Sequence, residues 1–296
     1  MISPETAPSL AGLSRLQALA ATRAYLRNCG IEEADADARL LVFSAGGFNA
    51  LGLLQNPDAG LTASQAARLE EFVRRRADRE PATRIVGRRP FWTVNIAVRP
   101  NVLDPRADSE AVVRLALRMM TKRAMSPLRL LDAGSGSGAL LCALLSEFPG
   151  AFGVAVDLSS DACHAARLNL AANGLATRAR VVRANWVDAF TAAFDLIVSN
   201  PPYLRSDEIR ELDPEVGGHD PLLALDGGPD GLAAYRTLFS QAPGALVSNG
   251  VLIVEHGAGQ GAELRGMARD YGLSEAGLER DLAGRERAFA VQMEKS

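Results

Sequence analysis

A glycine-rich turn between an apolar run and a helix-like segment is the first feature that could do chemistry. The run Leu128–Leu131 leads into Asp132–Gly138, which reads DAGSGSG, and an apolar stretch follows. Glycines let a ligand approach the main chain closely, and the amide groups at a helix start attract polar groups. Asp157 ends the next apolar run, where a carboxylate can accept hydrogen bonds from two ribose hydroxyls. The pattern predicts a site for a nucleoside-containing cofactor.

The glycine turn alone leaves two classes of cofactor open. Gly134, Gly136 and Ala139 also fit the dinucleotide pattern of a dehydrogenase. Asp132 stands immediately before the glycines, where a carboxylate would repel a diphosphate and attract a cationic amino group. The amino acid part of S-adenosylmethionine carries such a cation, so Asp132 favours S-adenosylmethionine.

A second motif, Asn200-Pro201-Pro202-Tyr203, follows the apolar run Phe194–Ser199. Prolines have a fixed φ and no N–H, so the main-chain carbonyls here point in defined directions. The Asn200 side-chain oxygen and the Pro201 carbonyl can together accept both hydrogens of a planar –NH2 group, and Tyr203 can pack against its face. Two acceptors raise the electron density on a nitrogen whose lone pair is delocalised. The motif predicts methyl transfer to such a nitrogen by direct in-line displacement.

The elements that must position these motifs change in type near residue 89. Before it, apolar spacing predicts a small helical domain over residues 1–89. Residues 90–106 contain the alternating run Phe91–Val98, which predicts a strand or hairpin arm that links the domains. A helix is predicted next, and the remaining domain covers residues 107–296. The predicted helices of these regions are Leu10–Cys29, Glu33–Ala45, Thr62–Asp78 and Ala107–Arg123.

Beyond residue 127, short apolar runs alternate with amphipathic stretches. The predicted strands are Leu128–Leu131, Gly153–Val156, Arg180–Val182, Phe194–Ser199, Gly250–Glu255 and Ala288–Gln292, and the predicted helices are Ser137–Glu147, Ser160–Asn173, Gly231–Gln241 and Gln260–Tyr271. Strands separated by helices require crossover connections, which predicts an α/β fold with a mostly parallel sheet covered on both faces. Residues 204–229 are rich in Gly, Asp and Pro and are predicted to form a long functional loop.

Composition excludes several classes of protein. The 296 residues include 32 Lys plus Arg and 35 Asp plus Glu, a net charge of −3, which argues against stable nucleic-acid binding. The longest apolar run, Ala139–Leu145, is far shorter than the roughly 20 residues that cross a membrane. Three widely spaced cysteines and no metal-ligand spacing predict a cytoplasmic protein without disulfides or a metal. We expect a monomer.

These motifs resemble the amino-methyltransferase branch of class I S-adenosylmethionine-dependent methyltransferases. Nearly the whole chain resembles the peptide-chain-release-factor glutamine N5-methyltransferases, the HemK/PrmC family. Asn185 stands where that family has aspartate, and its side-chain oxygen can still accept from an adenine amino group. Further matches are Phe91-Trp92, Leu103–Glu110, Asn185-Trp186, Leu223–Gly228, Glu255 and Asp281–Arg285.

The resemblance implies a Rossmann-like seven-stranded sheet with a small all-helical N-terminal domain that helps to dock the substrate. It implies methyl transfer from S-adenosylmethionine to the glutamine N5 in the Gly-Gly-Gln motif of class 1 release factors. Asn200, Pro201 and Tyr203 would be catalytic and would hold the glutamine together with Pro202. The cofactor-binding residues would be Asp132, Gly134, Ser135, Gly136, Ser137, Gly138, Asp157, Leu158, Asn185, Trp186 and Asn200.

Several alternatives remain open from the sequence. Arg106 either shapes the substrate pocket or pairs with Glu110. The same chemistry would suit a glutamine of a ribosomal protein, and Asn-Pro-Pro-Tyr is shared with enzymes that methylate adenine N6 in nucleic acid. A dehydrogenase and a non-catalytic cofactor-binding protein are the remaining alternatives.

Overall fold

The computed structural model describes residues 7–191 and 193–293, which form two compact units. The first unit ends at Arg88 and the second begins at Arg89. Each unit buries its own apolar side chains: one cluster belongs to the first unit, and two belong to the second. Among the described residues, no helix is both long enough and apolar enough to cross a membrane.

Helices build the first unit. They are α1 (Arg15–Asn28), α2 (Ala34–Gly46), α3 (Ala50–Gln55), α4 (Ala63–Ala77) and α5 (Ala82–Val86). Ser14 and Thr62 each close a capping box with a glutamine three residues later, which satisfies the free amide groups at the starts of α1 and α4. The sequence did not predict α3 and α5, because five or six residues carry too little apolar periodicity.

A short hairpin follows the helices. Its strands are β1 (Arg88–Phe91) and β2 (Val94–Ala97). The alternating run over Phe91–Val98 is therefore two strand segments rather than one, because the chain turns at Trp92, whose φ is 54°. The hairpin begins before residue 90 and its second strand ends at Ala97, so the rest of the predicted hairpin region to residue 106 is not strand.

The second unit contains a seven-stranded sheet of order β5-β4-β3-β6-β7-β9-β8. Strands β3 to β7 pair in parallel, and β9 is antiparallel to both β7 and β8. The predicted α/β fold with seven strands is confirmed. The strands are β3 (Arg129–Ala133), β4 (Phe152–Asp157), β5 (Ala179–Arg183), β6 (Phe194–Ser199), β7 (Leu246–Glu255), β8 (Leu273–Arg280) and β9 (Glu286–Met293).

Helices cover both faces of this sheet. Leu130 and Leu131 point to opposite faces, because side chains alternate along a strand, and they belong to different buried clusters. The cluster of Leu130 includes side chains of α6, α7 and α8, whereas that of Leu131 includes side chains of α10 and α11. The helices are α6 (Glu110–Met120), α7 (Ala139–Glu147), α8 (Ser160–Ala172), α9 (Pro214–Gly217), α10 (Ala233–Ala245) and α11 (Gly261–Asp270).

Candidate active site

The glycine turn and Asn200 lie side by side because β3 and β6 are neighbouring parallel strands. Ala133 pairs with Ser199 in the sheet, and the Ser199 hydroxyl donates to the Ala133 carbonyl at 2.6 Å. The turn follows β3, and Asn200 follows β6. On the other side of β3 lies β4, so the strand order reverses at this point. Open α/β sheets bind their ligands at such a switch point.

A cavity of about 380 Å³ opens at this edge of the sheet. This volume lies within the usual range for small-molecule sites. The glycine turn, the end of β4 and the Asn-Pro-Pro segment therefore face one space. The predicted site residues that line it are Gly134, Ser135, Gly136, Ser137, Asp157, Leu158, Asn185, Trp186, Asn200 and Pro202.

Two main-chain amides orient the Asp157 carboxylate at the cavity wall. Gly136 N donates to one of its oxygens at 2.8 Å, and Ser159 N donates to the other at 2.8 Å. Burial raises the pKa of Asp157, and the amide hydrogen bonds oppose that rise. A carboxylate oxygen can accept two hydrogen bonds, so both oxygens keep capacity for hydroxyl donors. This arrangement fits a ribose.

The main chain at Gly134 lies close to the ring of Trp186 in the cavity wall. Its φ is +69°, a conformation that side chains rarely allow, and an added Cβ would lie 3.0 Å from Cζ3 of Trp186. The Trp186 ring therefore packs directly on the turn. Asn185 beside it is exposed and lines the same cavity.

Asp132 is buried and does not line the cavity. Its Oδ2 accepts from the Ser135 hydroxyl at 2.7 Å and from Leu141 N at 3.3 Å. Among the described residues, Oδ1 has no hydrogen-bond partner. Burial raises the pKa of Asp132 to about 7. A carboxylate with an unpartnered oxygen has the chemistry to pair with an amino cation, and Asp132 lies behind Ser135 rather than in the cavity wall.

Gly138 and Arg106 serve roles other than lining the cavity. Gly138 begins α7 at φ +79°, and an added Cβ would lie 3.1 Å from Ala166 of α8. Arg106 donates to Asp220 at 2.6 Å. Its alternative pairing with Glu110 is wrong, because Glu110 instead accepts from Trp92 N at 3.1 Å.

Asn200 has a partner that the sequence analysis missed. Its Nδ2 donates to the Ser109 hydroxyl oxygen at 3.1 Å, and Ser109 is almost fully buried. In the sequence, Ser109 lies within the predicted helix Ala107–Arg123 and was given no role in the site. Because an amide is planar, a nitrogen directed at Ser109 turns Oδ1 away from it.

Tyr203, which is predicted to pack against a substrate face, has its ring next to Gly257. The ring does not line the cavity; it lies against Gly257, where an added Cβ would be 3.2 Å from the ring. Its hydroxyl lies 3.5 Å from Oε1 of Glu255, and burial raises the pKa of Tyr203. Pro201 is buried and is also absent from the cavity wall.

The doubly wound sheet with antiparallel β9, and the glycine turn at its switch point, define a methyltransferase fold. A solved methyltransferase from Pyrococcus furiosus is similar, with a TM-score of 0.50 and 16% identity over 67% of this chain and 88% of that chain. Residues 108–212 match the methyltransferase small domain family.

More specific similarities extend over nearly the whole chain. Residues 17–87 match the PrmC N-terminal domain family. The release factor glutamine methyltransferase of Bradyrhizobium diazoefficiens is 41% identical over 98% of this chain and 99% of its own length. That of Agrobacterium fabrum is 39% identical over 93% of this chain and 96% of its own length. The chain belongs to the release factor glutamine methyltransferase family.

Proposed function

We propose that the protein transfers a methyl group from S-adenosylmethionine to the side-chain N5 of the glutamine in the Gly-Gly-Gln motif of class 1 release factors. It does so in the cytoplasm as a monomer, and its substrate is a protein rather than a nucleic acid. The helical first unit helps to dock the release factor.

The proposed cofactor site uses the turn and the two carboxylates. Asp157 accepts from the ribose hydroxyls, while Asn185 and Trp186 bind the adenine region. Asp132, through its unpartnered oxygen, stabilises the ammonium group of the methionine part beside the glycine turn. S-adenosylmethionine supplies an electrophilic methyl group carried on a positively charged sulfur.

The proposed catalytic action is positioning of the acceptor nitrogen. Asn200 Oδ1 and the Pro201 carbonyl accept the two hydrogens of the glutamine –NH2, which holds the nitrogen and raises its electron density. S-adenosylmethionine held at the glycine turn would supply its methyl group to this nitrogen and keep the bonding electron pair on sulfur, and the methylated nitrogen would then give one proton to solvent. Holding the reacting atoms about 3 Å apart supplies much of the rate enhancement.

The observation that carries this proposal is the shared cavity. Asn200 of the Asn-Pro-Pro-Tyr motif and Gly134 of the glycine turn line the same cavity of about 380 Å³. An amide held by Asn200 can therefore reach a cofactor held by the glycine turn. Family membership supports the choice of a glutamine amide.

A methyl-transfer assay with competing acceptors tests the proposal. Purified protein and S-adenosylmethionine labelled in its methyl group are incubated separately with a class 1 release factor, a ribosomal protein and duplex DNA. We expect label in the release factor only. A release factor whose Gly-Gly-Gln glutamine is changed to alanine is the control and should stay unlabelled. Label in the ribosomal protein or DNA instead would overturn the proposed substrate.

A further inference from the structure

A buried polar chain lies behind Asn200. The Asn200 amide donates to Ser109, the Ser109 hydroxyl lies beside the carboxyl group of Glu255 and lowers its pKa, and the Tyr203 hydroxyl approaches the same carboxyl group at 3.5 Å. Ser109 is 3% exposed and Glu255 is 1% exposed. Glu255 ends β7, and Ser109 precedes α6, so the ends of two separate elements meet behind Asn200. The proposed reaction uses neither Ser109 nor Glu255.

The chemistry of these groups allows one arrangement of donors when Glu255 is ionised. A carboxylate only accepts hydrogen bonds, and a hydroxyl has a single hydrogen. An ionised Glu255 beside Ser109 therefore attracts the hydroxyl hydrogen, which leaves the Ser109 lone pairs to face Asn200. The Asn200 amide can satisfy those lone pairs only with its –NH2 end, as observed. Its oxygen is thereby turned away from Ser109.

We propose that Ser109 and Glu255 are positioning residues that fix which end of the Asn200 amide faces the cavity. This inference rests on the proposed function in one respect, because it assumes that the acceptor presents an –NH2 group. If Asn200 turned its own –NH2 toward that group, two sets of donors would face each other and the acceptor would be repelled.

Charged groups around Glu255 support its ionised form. The neighbouring Ser109 hydroxyl, the charged Arg287 and the Tyr203 hydroxyl all lower the pKa of Glu255. Burial and Asp108 raise the pKa, which lies at about 7. Asp108 is itself paired with Arg287 at 3.1 Å. The remaining titratable neighbours stay neutral: burial raises the pKa values of Tyr203 and Tyr235, and burial lowers the pKa of His256.

Three variants test the proposal through kcat and cofactor binding. Ser109→Ala and Glu255→Gln should lower kcat for release-factor methylation at saturating cofactor, Ser109→Ala by about 100-fold, because a misplaced acceptor group has effects of that order. The Kd for S-adenosylmethionine should stay unchanged. Ser109→Thr keeps the hydroxyl and should recover most of the kcat. Tyr235→Phe is the matched control, because it removes a buried hydrogen bond to the Glu255 carbonyl and leaves the carboxyl group intact.

The pH profile separates positioning from simple loss of packing. In the wild type, kcat should rise with pH as Glu255 ionises, with a midpoint of about 7. Glu255→Gln should lose this step. A variant whose kcat falls by the same factor at every pH, with the step intact, would contradict the proposal.

A measurement that does not depend on turnover keeps the inference testable if the proposed substrate is wrong. In protein with 15N-labelled asparagine, the Asn200 side-chain –NH2 signals report hydrogen exchange with solvent. We expect slow exchange in the wild type and in Ser109→Thr, and at least about tenfold faster exchange in Ser109→Ala. Equal exchange in wild type and Ser109→Ala would overturn the inference. Absence of methylation by the wild type would overturn only the proposed substrate.

Discussion

The two ends of the Asn200 amide face different surroundings. The nitrogen donates to buried Ser109, and the residue also lines the cavity next to the glycine turn. An acceptor fixed before the substrate arrives costs no reorganisation during the reaction, and such preorganised groups are among the largest contributors to catalysis. Asn200 is therefore the residue on which turnover should depend most.

Asn200→Ala removes the proposed acceptor. We expect kcat to fall by about 100-fold or more, because losing one preorganised hydrogen-bonding group has effects of this size. Cofactor binding, measured by calorimetry, should change little because Asp157 and the glycine turn are intact. Asn95→Ala, at an exposed position in the hairpin, is the control. Wild-type turnover by Asn200→Ala would contradict the assigned role.

Asp132 couples the site to the stability of the protein. Its pKa is about 7 in the folded protein and about 3.9 in an unfolded chain. Below about pH 3.9, Asp132 is protonated in both the folded and the unfolded protein, so its burial does not lower the folding stability. As pH rises toward 7, the unfolded state ionises first, and folding stability is lost progressively.

Asp132→Asn should remove this pH dependence. The free energy of unfolding of the wild type, relative to the variant, should fall by on the order of 2 kcal/mol between about pH 5 and about pH 8. Denaturant titrations at several pH values measure it. A difference between the two proteins that does not vary with pH would show that Asp132 is ionised in the folded state.

Sequence reasoning predicted the positions of site residues that lie at the ends of strands. Asp157 ends β4 and Asn200 follows β6, and the geometry of a parallel sheet brings such ends together. The contact of Ser109 with Asn200 was not predicted, because the two residues are 91 positions apart in the sequence and no local pattern connects them. The contact of the Tyr203 ring with Gly257 was not predicted, because a motif fixes the direction of the main chain but not the packing partner of a ring.

At the scale of elements, hydrogen bonds join the two ends of the long segment 204–229. Leu204 N donates to the Leu225 carbonyl at 3.1 Å, and Gly227 N donates to the Leu204 carbonyl at 2.8 Å. The segment also contains α9, so the predicted long loop includes a short helix. Gly231 packs against the Asn-Pro-Pro-Tyr main chain, with an added Cβ only 2.5 Å from the Tyr203 carbonyl oxygen.

Gly231→Ala should disturb the motif without touching the cavity wall. Its φ is +73°, and the clash is with main chain, so we expect a loss of about 2 kcal/mol or more in unfolding free energy. Methylation should fall as Tyr203 and Pro202 shift. Gly266→Ala is the control, because nothing lies within 4 Å of its added Cβ in α11. It should be neutral or stabilising. Equal stability of the two variants would contradict this packing.

The strands that the sequence predicted are those whose burial leaves a clear pattern. Every residue of β6 is buried, which gives an unbroken apolar run. By contrast, β8 pairs only with β9 at the sheet edge and is mostly half-buried. Its polar residues and Gly277 leave no continuous apolar run in the sequence that would predict a strand. The start of β7 was missed because its pairing with β6 is irregular. Phe194 pairs with Leu246 and Leu196 pairs with Val251, so four residues of β7 lie opposite a single residue of β6.

At the scale of the whole molecule, a methyltransferase sheet and a helical unit have separate cores. Periodicity predicted both, because a helical core and a doubly wound sheet impose different spacings on apolar residues. Cavity shape depends on side chains from many parts of the second unit, and no local pattern encodes it. A net charge of −3 is consistent with a protein acceptor.

Tandem mass spectrometry of a release factor after reaction tests the central claim most directly. The wild-type protein and S-adenosylmethionine should place one methyl group on the side-chain nitrogen of the Gly-Gly-Gln glutamine, and Asn200→Ala should leave that peptide unmodified in the same time. A methyl group found on another residue, or equal modification by Asn200→Ala, would contradict an amide held between Asn200 and the glycine turn.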